Sequence, residues 1–153
     1  MPKNIDLNDF AEELENSIAG LSTELEKKIK LVCEKIRSDI QYDMANTPRD
    51  MSKQYFTNNK SIPHHPSMPG NAPAPDTGNL RQSIRYDIQK INDNEIEGCV
   101  GSTQKNPDYA VYTEYGTSKM APRPWLSPAM KKNNEFIKNT IADAVRNYVK
   151  GGK

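Results

Sequence analysis

Apolar residues recur at gaps of three or four along the first quarter of the chain, which is the spacing of one helix face. Asp6 is placed to cap this helix, and acids fill its first turns, where the helix dipole favours them. Because such a helix is longer than a compact domain, we expect it to project from the body or to break near Gly20 or Asn46. The stripe consists of Leu7, Ala11, Leu14, Ile18, Leu21, Leu25, Ile29, Val32, Ile36, Ile40 and Met44.

The next segment, residues 46–75, is polar and rich in proline and shows neither helical nor strand periodicity. It is predicted to be a long loop, and loops of this length usually carry contacts with partners or are disordered. Asp76 and Thr77 follow it and predict the cap of a short helical turn over residues 78–82.

Two alternating stretches, 84–89 and 96–100, flank the polar residues 92–94 and predict a β-hairpin. Asn106 and Pro107 then open a helix with three tyrosines on one side, which Gly116 is placed to close.

The last segment begins with a helix-start signal, with Ser127 as N-cap and Pro128 at the first helical position. We expect one apolar face on this helix, made of Met130, Ile137, Ile141, Ala144, Val145 and Tyr148. Together the patterns predict an α+β fold: a long N-terminal helix, a central antiparallel sheet based on a β-hairpin, a short Tyr-rich helix and a C-terminal helix. One domain is expected, with the long helix over 1–45, the Pro-rich loop over 46–75 and the α+β core over 76–150.

Composition adds that the core must be small or shared. Only 35% of the 153 residues are hydrophobic, so we expect part of the stability to come from assembly. Charge alternates in blocks, with net −4 over 1–45, +3 over 46–86, −4 over 87–116 and +6 over 117–153. These blocks are either solvated faces or surfaces through which the acidic end of one copy docks on the basic end of the next.

Targeting and redox signals are few. No apolar run is long enough to span a bilayer and the N-terminus lacks a secretory pattern, so we expect synthesis in a cytoplasm and no membrane partner. Cys33 and Cys99 lie far apart between apolar residues and are predicted to be buried thiols.

The sequence offers only weak candidates for catalytic or metal-binding residues. Asp76, Thr77 and Gly78 match the short signature of aspartic proteases, but Ala74 and Pro75 precede them where a buried strand is required, which favours a cap. The adjacent His64 and His65 lack metal-ligand spacing and are expected to be exposed. We therefore predict no enzyme activity, no catalytic residue, no cofactor and no metal site.

Basic residues concentrate in the last segment, and a basic helix of this kind can line phosphates. A cytoplasmic nucleic-acid-binding protein that uses this C-terminal helix is therefore the alternative function.

Two ordered blocks carry a resemblance. The block from Asp76 to Ile84 is similar to Thr-Gly-x-Leu-x-x-Ser-Ile, and the block from Asp108 to Ala129 is similar to Tyr-Ala-x-Tyr-x-Glu-Tyr-Gly-Thr followed by Ala-x-Arg-Pro-aromatic-Leu-x-Pro-Ala. Both resemble the neck or tail-completion proteins of tailed bacteriophages. The matching residues are Thr77, Gly78, Leu80, Ser83, Ile84, Tyr109, Ala110, Tyr112, Glu114, Tyr115, Gly116, Thr117, Arg123, Pro124, Trp125, Leu126, Pro128 and Ala129.

The resemblance implies a structural virion protein, a minor tail or head-tail connector component that closes into a ring, sixfold by analogy, at the head-tail junction or the tail end. It implies four kinds of partner: other copies, head-closure proteins, a tail terminator or tail tube protein, and DNA passing through the lumen without sequence specificity. It places the protein in the virion, and in the host cytoplasm during assembly. The expected interface residues are Tyr55, Phe56, Glu12, Glu26, Lys131, Lys132 and Lys138.

Overall fold

The structure is a computed structural model that describes residues 7–56, 63–92, 95–104 and 107–151. Its elements, in chain order, are helix α1 (Leu7–Ala45), helix α2 (Asn79–Ser83), strand β1 (Ile84–Asn92), strand β2 (Glu95–Ser102), helix α3 (Pro107–Tyr115) and helix α4 (Leu126–Gly151). The predicted α+β class is confirmed. No helix within those ranges combines the length and apolarity that a bilayer crossing needs.

Helix α1 is continuous over 39 residues and does not break at Gly20 or before Asn46. Its C-terminal half supplies much of the core through Val32, Ile36, Ile40 and Met44, whereas residues 10–19 are all exposed. Of the two outcomes expected for this helix, a projection or a break, the structure therefore has the projection, and it concerns the N-terminal third of the helix. The predicted cap, Asp6, lies outside the described residues.

Helix α4 packs antiparallel on α1. Near the start of α4, the buried side-chain amide of Asn133 donates to an Asp39 carboxylate oxygen at 2.8 Å. Near its end, the Tyr148 hydroxyl occupies the space that a side chain at Gly20 would need. Two contacts, 15 residues apart on α4 and 19 apart on α1, fix the alignment of the helices.

The predicted apolar face of α4 is confirmed except at two positions, since Met130 and Val145 remain 42% and 39% exposed. Ala129 and Asn133 are buried on this face in addition to the predicted residues. The predicted residues that are buried or half-buried are Ile137, Ile141, Ala144 and Tyr148.

Strands β1 and β2 form the predicted antiparallel hairpin, with Ile84 opposite Ser102 and Lys90 opposite Ile96. The turn residues 93 and 94 lie outside the described part. One face of the hairpin packs on α1, where Gly98 approaches Ile29 and Cys33 closely, and the Tyr86 hydroxyl donates to Glu34 at 2.7 Å.

The prediction of two buried thiols is half wrong, because Cys33 is buried and Cys99 is exposed. Strand alternation explains the difference: Gly98 faces α1, so its neighbour Cys99 points away from it. The core thus collects at one end of the molecule, around Val32, Ile36, Ile40, Met44, Leu80, Ile84, Ala110, Trp125 and Ala129.

Candidate functional site

The second sequence block forms the junction between α3 and α4, and Glu114 is its centre. The Glu114 carboxylate accepts hydrogen bonds from the backbone N–H groups of Trp125, Leu126 and Ser127 at 2.7, 2.9 and 2.9 Å, and from the Ser127 hydroxyl. Glu114 is only 6% exposed. Its carboxylate therefore satisfies the free N–H groups at the start of α4 and meets the positive end of that helix dipole.

This arrangement corrects the predicted start of the last helix. α4 begins at Leu126 rather than at Pro128, and Ser127 lies inside its first turn instead of capping it. The helix starts two residues earlier because a side chain from α3 caps it.

Electrostatics agree with the geometry at Glu114. Burial alone would raise the pKa of this carboxyl, but the hydrogen bonds from the Ser127 hydroxyl and the three backbone N–H groups outweigh burial and hold the pKa below its ordinary value of 4.5. The group is therefore a carboxylate at neutral pH, as a helix-capping role requires.

Further motif residues tie the connector to the rest of the fold. Trp125 is buried, and its indole N–H donates to the Ala110 carbonyl at 3.2 Å. Arg123 donates from its backbone N–H to the Thr113 carbonyl at 2.7 Å and from Nε to the Ser67 carbonyl at 3.2 Å. Gly116 ends α3 with φ +77°, as predicted, and its N–H donates to the Tyr112 carbonyl at 2.8 Å.

The first block builds the base of the hairpin. Leu80 and Ile84 are buried, and Gly78 adopts φ +81° immediately before α2. Gly78 itself occupies the cap position of α2, and of the two predicted capping residues Thr77 contributes, since its hydroxyl accepts from the Asn79 N–H at 3.3 Å. Both blocks therefore include residues that maintain the fold.

The Pro-rich segment is more ordered than a long loop suggests. Isolated bridges pair Arg49 with Ser67 and Tyr55 with His64, so the two described sides of the segment run antiparallel. The Gly70 N–H donates to the Pro122 carbonyl at 2.9 Å, which attaches the segment to the α3–α4 connector.

The two histidines of this segment are half-buried, which corrects the prediction that they are exposed. His64 Nδ1 lies 3.9 Å from an Asp76 carboxylate oxygen, and His65 Nδ1 lies 2.8 Å from the Lys53 carbonyl oxygen. Within the described ranges, no three His, Cys, Asp or Glu side chains come together as a possible metal site.

A cavity of about 340 Å³ opens between the Pro-rich segment, α3 and the connector. Tyr55 and Tyr109 contribute aromatic rings to it, and Lys53, Lys119 and Arg123 contribute cations. Burial, and to a lesser degree the nearby Asp76, raise the pKa of Tyr109 even though Arg123 opposes them. Sequence patterns did not predict that Lys53 and Lys119 line one cavity, since the distance between these two side chains depends on how the Pro-rich segment folds.

The surface carries several large apolar side chains. Phe10, Leu14 and Ile18, which we call the tip stripe, are 52%, 50% and 44% exposed on the projecting end of α1. Of the predicted interface residues, Tyr55 and Phe56 are exposed in the Pro-rich segment. Tyr109, Tyr112 and Tyr115 of α3 are also exposed.

The charged residues predicted for interfaces are exposed as well, but several have partners within the chain. Lys132 lies 3.5 Å from Asp43 and Lys138 lies 3.9 Å from Glu135, whereas Lys131, Glu12 and Glu26 form no ion pair in the described part of the chain.

Comparison of the chain with protein-family models, with curated proteins and with solved structures gives no match.

Proposed function

We propose that this protein is a structural subunit of a tailed bacteriophage or prophage-derived particle. It forms a ring, hexameric by analogy, that joins or completes the tail at the head-tail junction or at the tail end. The observation that carries this proposal is the pair of ordered blocks, residues 76–84 and 108–129, with their resemblance to phage neck and tail-completion proteins.

The geometry supports an assembly role. The core lies at one end of the molecule. At the other end, the three large apolar side chains of the tip stripe are each about half exposed. A surface of this kind on a small domain is typical of a protein that is completed by contacts with other chains. The partners in this proposal are further copies, head-closure proteins and a tail terminator or tail tube protein, with DNA in the lumen.

Quantitative mass spectrometry of density-purified particles tests the proposal. The chain is expected at a few copies per particle, near six or twelve, when scored against the portal and major tail proteins. Its absence from purified particles would overturn the assignment. In that case the alternative function, nucleic-acid binding through α4, predicts steeply salt-dependent DNA binding that is lost when Lys131, Lys132 and Lys138 become Glu.

A further inference from the structure

Among the residues that the structure describes, none buries the projecting end of α1, since residues 10–19 are all exposed. Tyr148 lies beside Gly20, and only three residues of α4 follow it, which extend the helix by about 4.5 Å. Phe10 lies ten residues before Gly20, about 15 Å further along α1. The described part of α4 therefore stops short of Phe10.

The tip is also strongly acidic. Residues 8–19 contain Asp9, Glu12, Glu13 and Glu15 and no Lys or Arg. The helix thus presents a stripe of large apolar side chains flanked by carboxylates, and its ideal partner is an apolar recess with cations on its rim.

The cavity beside the Pro-rich segment combines apolar and cationic groups. Tyr55, Tyr109 and prolines supply its apolar surface, Ser67 and Thr113 add polar groups, and its lining includes three cations and no Asp or Glu. Lys53 lies 3.7 Å from Asp50, but Lys119 and Arg123 face no carboxylate within 4 Å in the described part of the chain. Three of the five bases of α4 are less available, because Lys132, Lys138 and Arg146 each have an acidic neighbour within the chain.

These two surfaces lie at opposite ends of the molecule. The Pro-rich segment follows the C-terminal end of α1, and Phe10 is 34 residues before Met44, about 51 Å along the helix axis. The tip therefore cannot reach the cavity of its own chain. A contact between them joins two copies head to tail, which is the interface type that generates rings or filaments.

We infer that the tip of α1 in one copy, with Phe10 and Leu14 leading, docks in the cavity lined by Tyr55, Tyr109 and Lys119 of the next copy. The inference deepens the proposed function by naming the contact between subunits, and it rests on that proposal for its place in a particle. Glu12 and Glu13 would then face Lys53 and Lys119 of the neighbouring copy.

Charge reversal in the full chain tests this contact. One variant carries Glu12→Lys and Glu13→Lys, and a second carries Lys53→Glu and Lys119→Glu. Each alone is expected to raise the dissociation constant for self-assembly at least about tenfold in sedimentation equilibrium. All four side chains are exposed, so circular dichroism should show unchanged folding.

An equimolar mixture of the two variants is the decisive sample. The basic tip of the first variant then meets an acidic cavity only in the second, and the acidic tip of the second meets a basic cavity only in the first. The dissociation constant for assembly is therefore expected to return to within about threefold of the wild-type value. The matched control carries Arg146→Glu and Lys150→Glu, two exposed positions on α4, and should also stay within about threefold.

Three results would overturn the contact: a monomeric wild-type chain, a mixture that stays dissociated, or a loss of assembly in the α4 control alone. These outcomes differ from a failure of the proposed function. If the chain assembles through this contact but is missing from particles, only the phage role is refuted. If the chain is found in particles but the mixture of the two variants does not assemble, only the contact is refuted.

Discussion

Glu114 shows how one side chain can set the boundary of a distant element. It lies on α3, yet its carboxylate binds backbone groups 11 to 13 residues further along the chain and thereby begins α4. Gly116, two residues away, acts only locally as the residue that ends α3.

Replacing Glu114 with Gln is expected to destabilise the protein by about 1 to 3 kcal/mol. Gln keeps the size of the side chain but loses its charge, and its amide can place a donor against the N–H groups of α4. Urea unfolding at pH 7 measures this change. Glu26→Gln, on an exposed part of α1, is the matched control and should cost less than about 0.5 kcal/mol.

The stabilisation by Glu114 is also expected to depend on pH. Because its pKa in the folded protein lies below the ordinary value of 4.5, the carboxylate contributes its full stability above that pH and loses it as the pH falls through the folded-state value. The difference in unfolding free energy between wild type and Glu114→Gln should therefore shrink below pH 4.5. A difference that is constant from pH 7 to pH 3 would contradict the capping role.

At this scale the sequence reveals local partners better than distant ones. Gly116 could be predicted because a glycine after a helical pattern is a local signal. The role of Glu114 could not, because its partners belong to another element and are backbone groups with no side-chain signature. Ser127 and Pro128 carry a genuine helix-start signal, which the stronger cap from α3 overrides.

Among the elements, the pair of α1 and α4 determines the shape of the molecule. Periodicity predicted both helices, and Ile36 and Ile40 proved to be core residues as their spacing suggests. Two residues of the contacting face of α4 were harder to predict, since Ala129 carries little hydrophobic signal and Asn133 carries none. Close approach between helices favours small side chains, and only the three-dimensional pairing shows where the approach is closest.

The effect of a substitution at Gly20 on stability is expected to depend on Tyr148. Changing Gly20 to Ala in the wild-type chain adds a methyl group where the Tyr148 hydroxyl lies, which offsets the gain in helix stability. In a Tyr148→Ala background the same change should stabilise the protein by about 0.5 to 1 kcal/mol. Urea unfolding of the wild type, the two single variants and the double variant gives the coupling energy between the two positions. If Gly20→Ala raises the unfolding free energy equally in both backgrounds, the Tyr148 ring does not pack on Gly20.

The whole molecule has one end that contains the buried core and another end at which the first third of α1 is exposed. The core unites the C-terminal half of α1 with the hairpin base, α3 and the start of α4, while the first third of α1 contributes nothing to it. The sequence predicted the α+β class, because it follows from periodicity, but left open whether α1 projects or breaks. The cavity was not predictable, because it depends on the path of a segment that lacks periodicity.

Stability should follow this division. Ile36→Ala removes a side chain that is 2% exposed and should cost about 2 to 5 kcal/mol. Leu14→Ala, at 50% exposure, should change the unfolding free energy by less than about 0.5 kcal/mol in chains diluted to the monomer. Urea unfolding compares the two, and a cost above 1 kcal/mol for Leu14→Ala would mean that the chain covers its own tip.

The free end of α1 acts as a lever. Contacts with Asn133 and Tyr148 of α4 hold the helix from Asp39 to Gly20, and Phe10 lies about 15 Å beyond Gly20. A tilt of about 15° at Gly20 moves Phe10 by about 4 Å, which is most of one helical turn. Repacking of Tyr148 against Gly20 would thus be amplified into a displacement as large as a side chain, so this contact controls the geometry of any assembly that uses the free end.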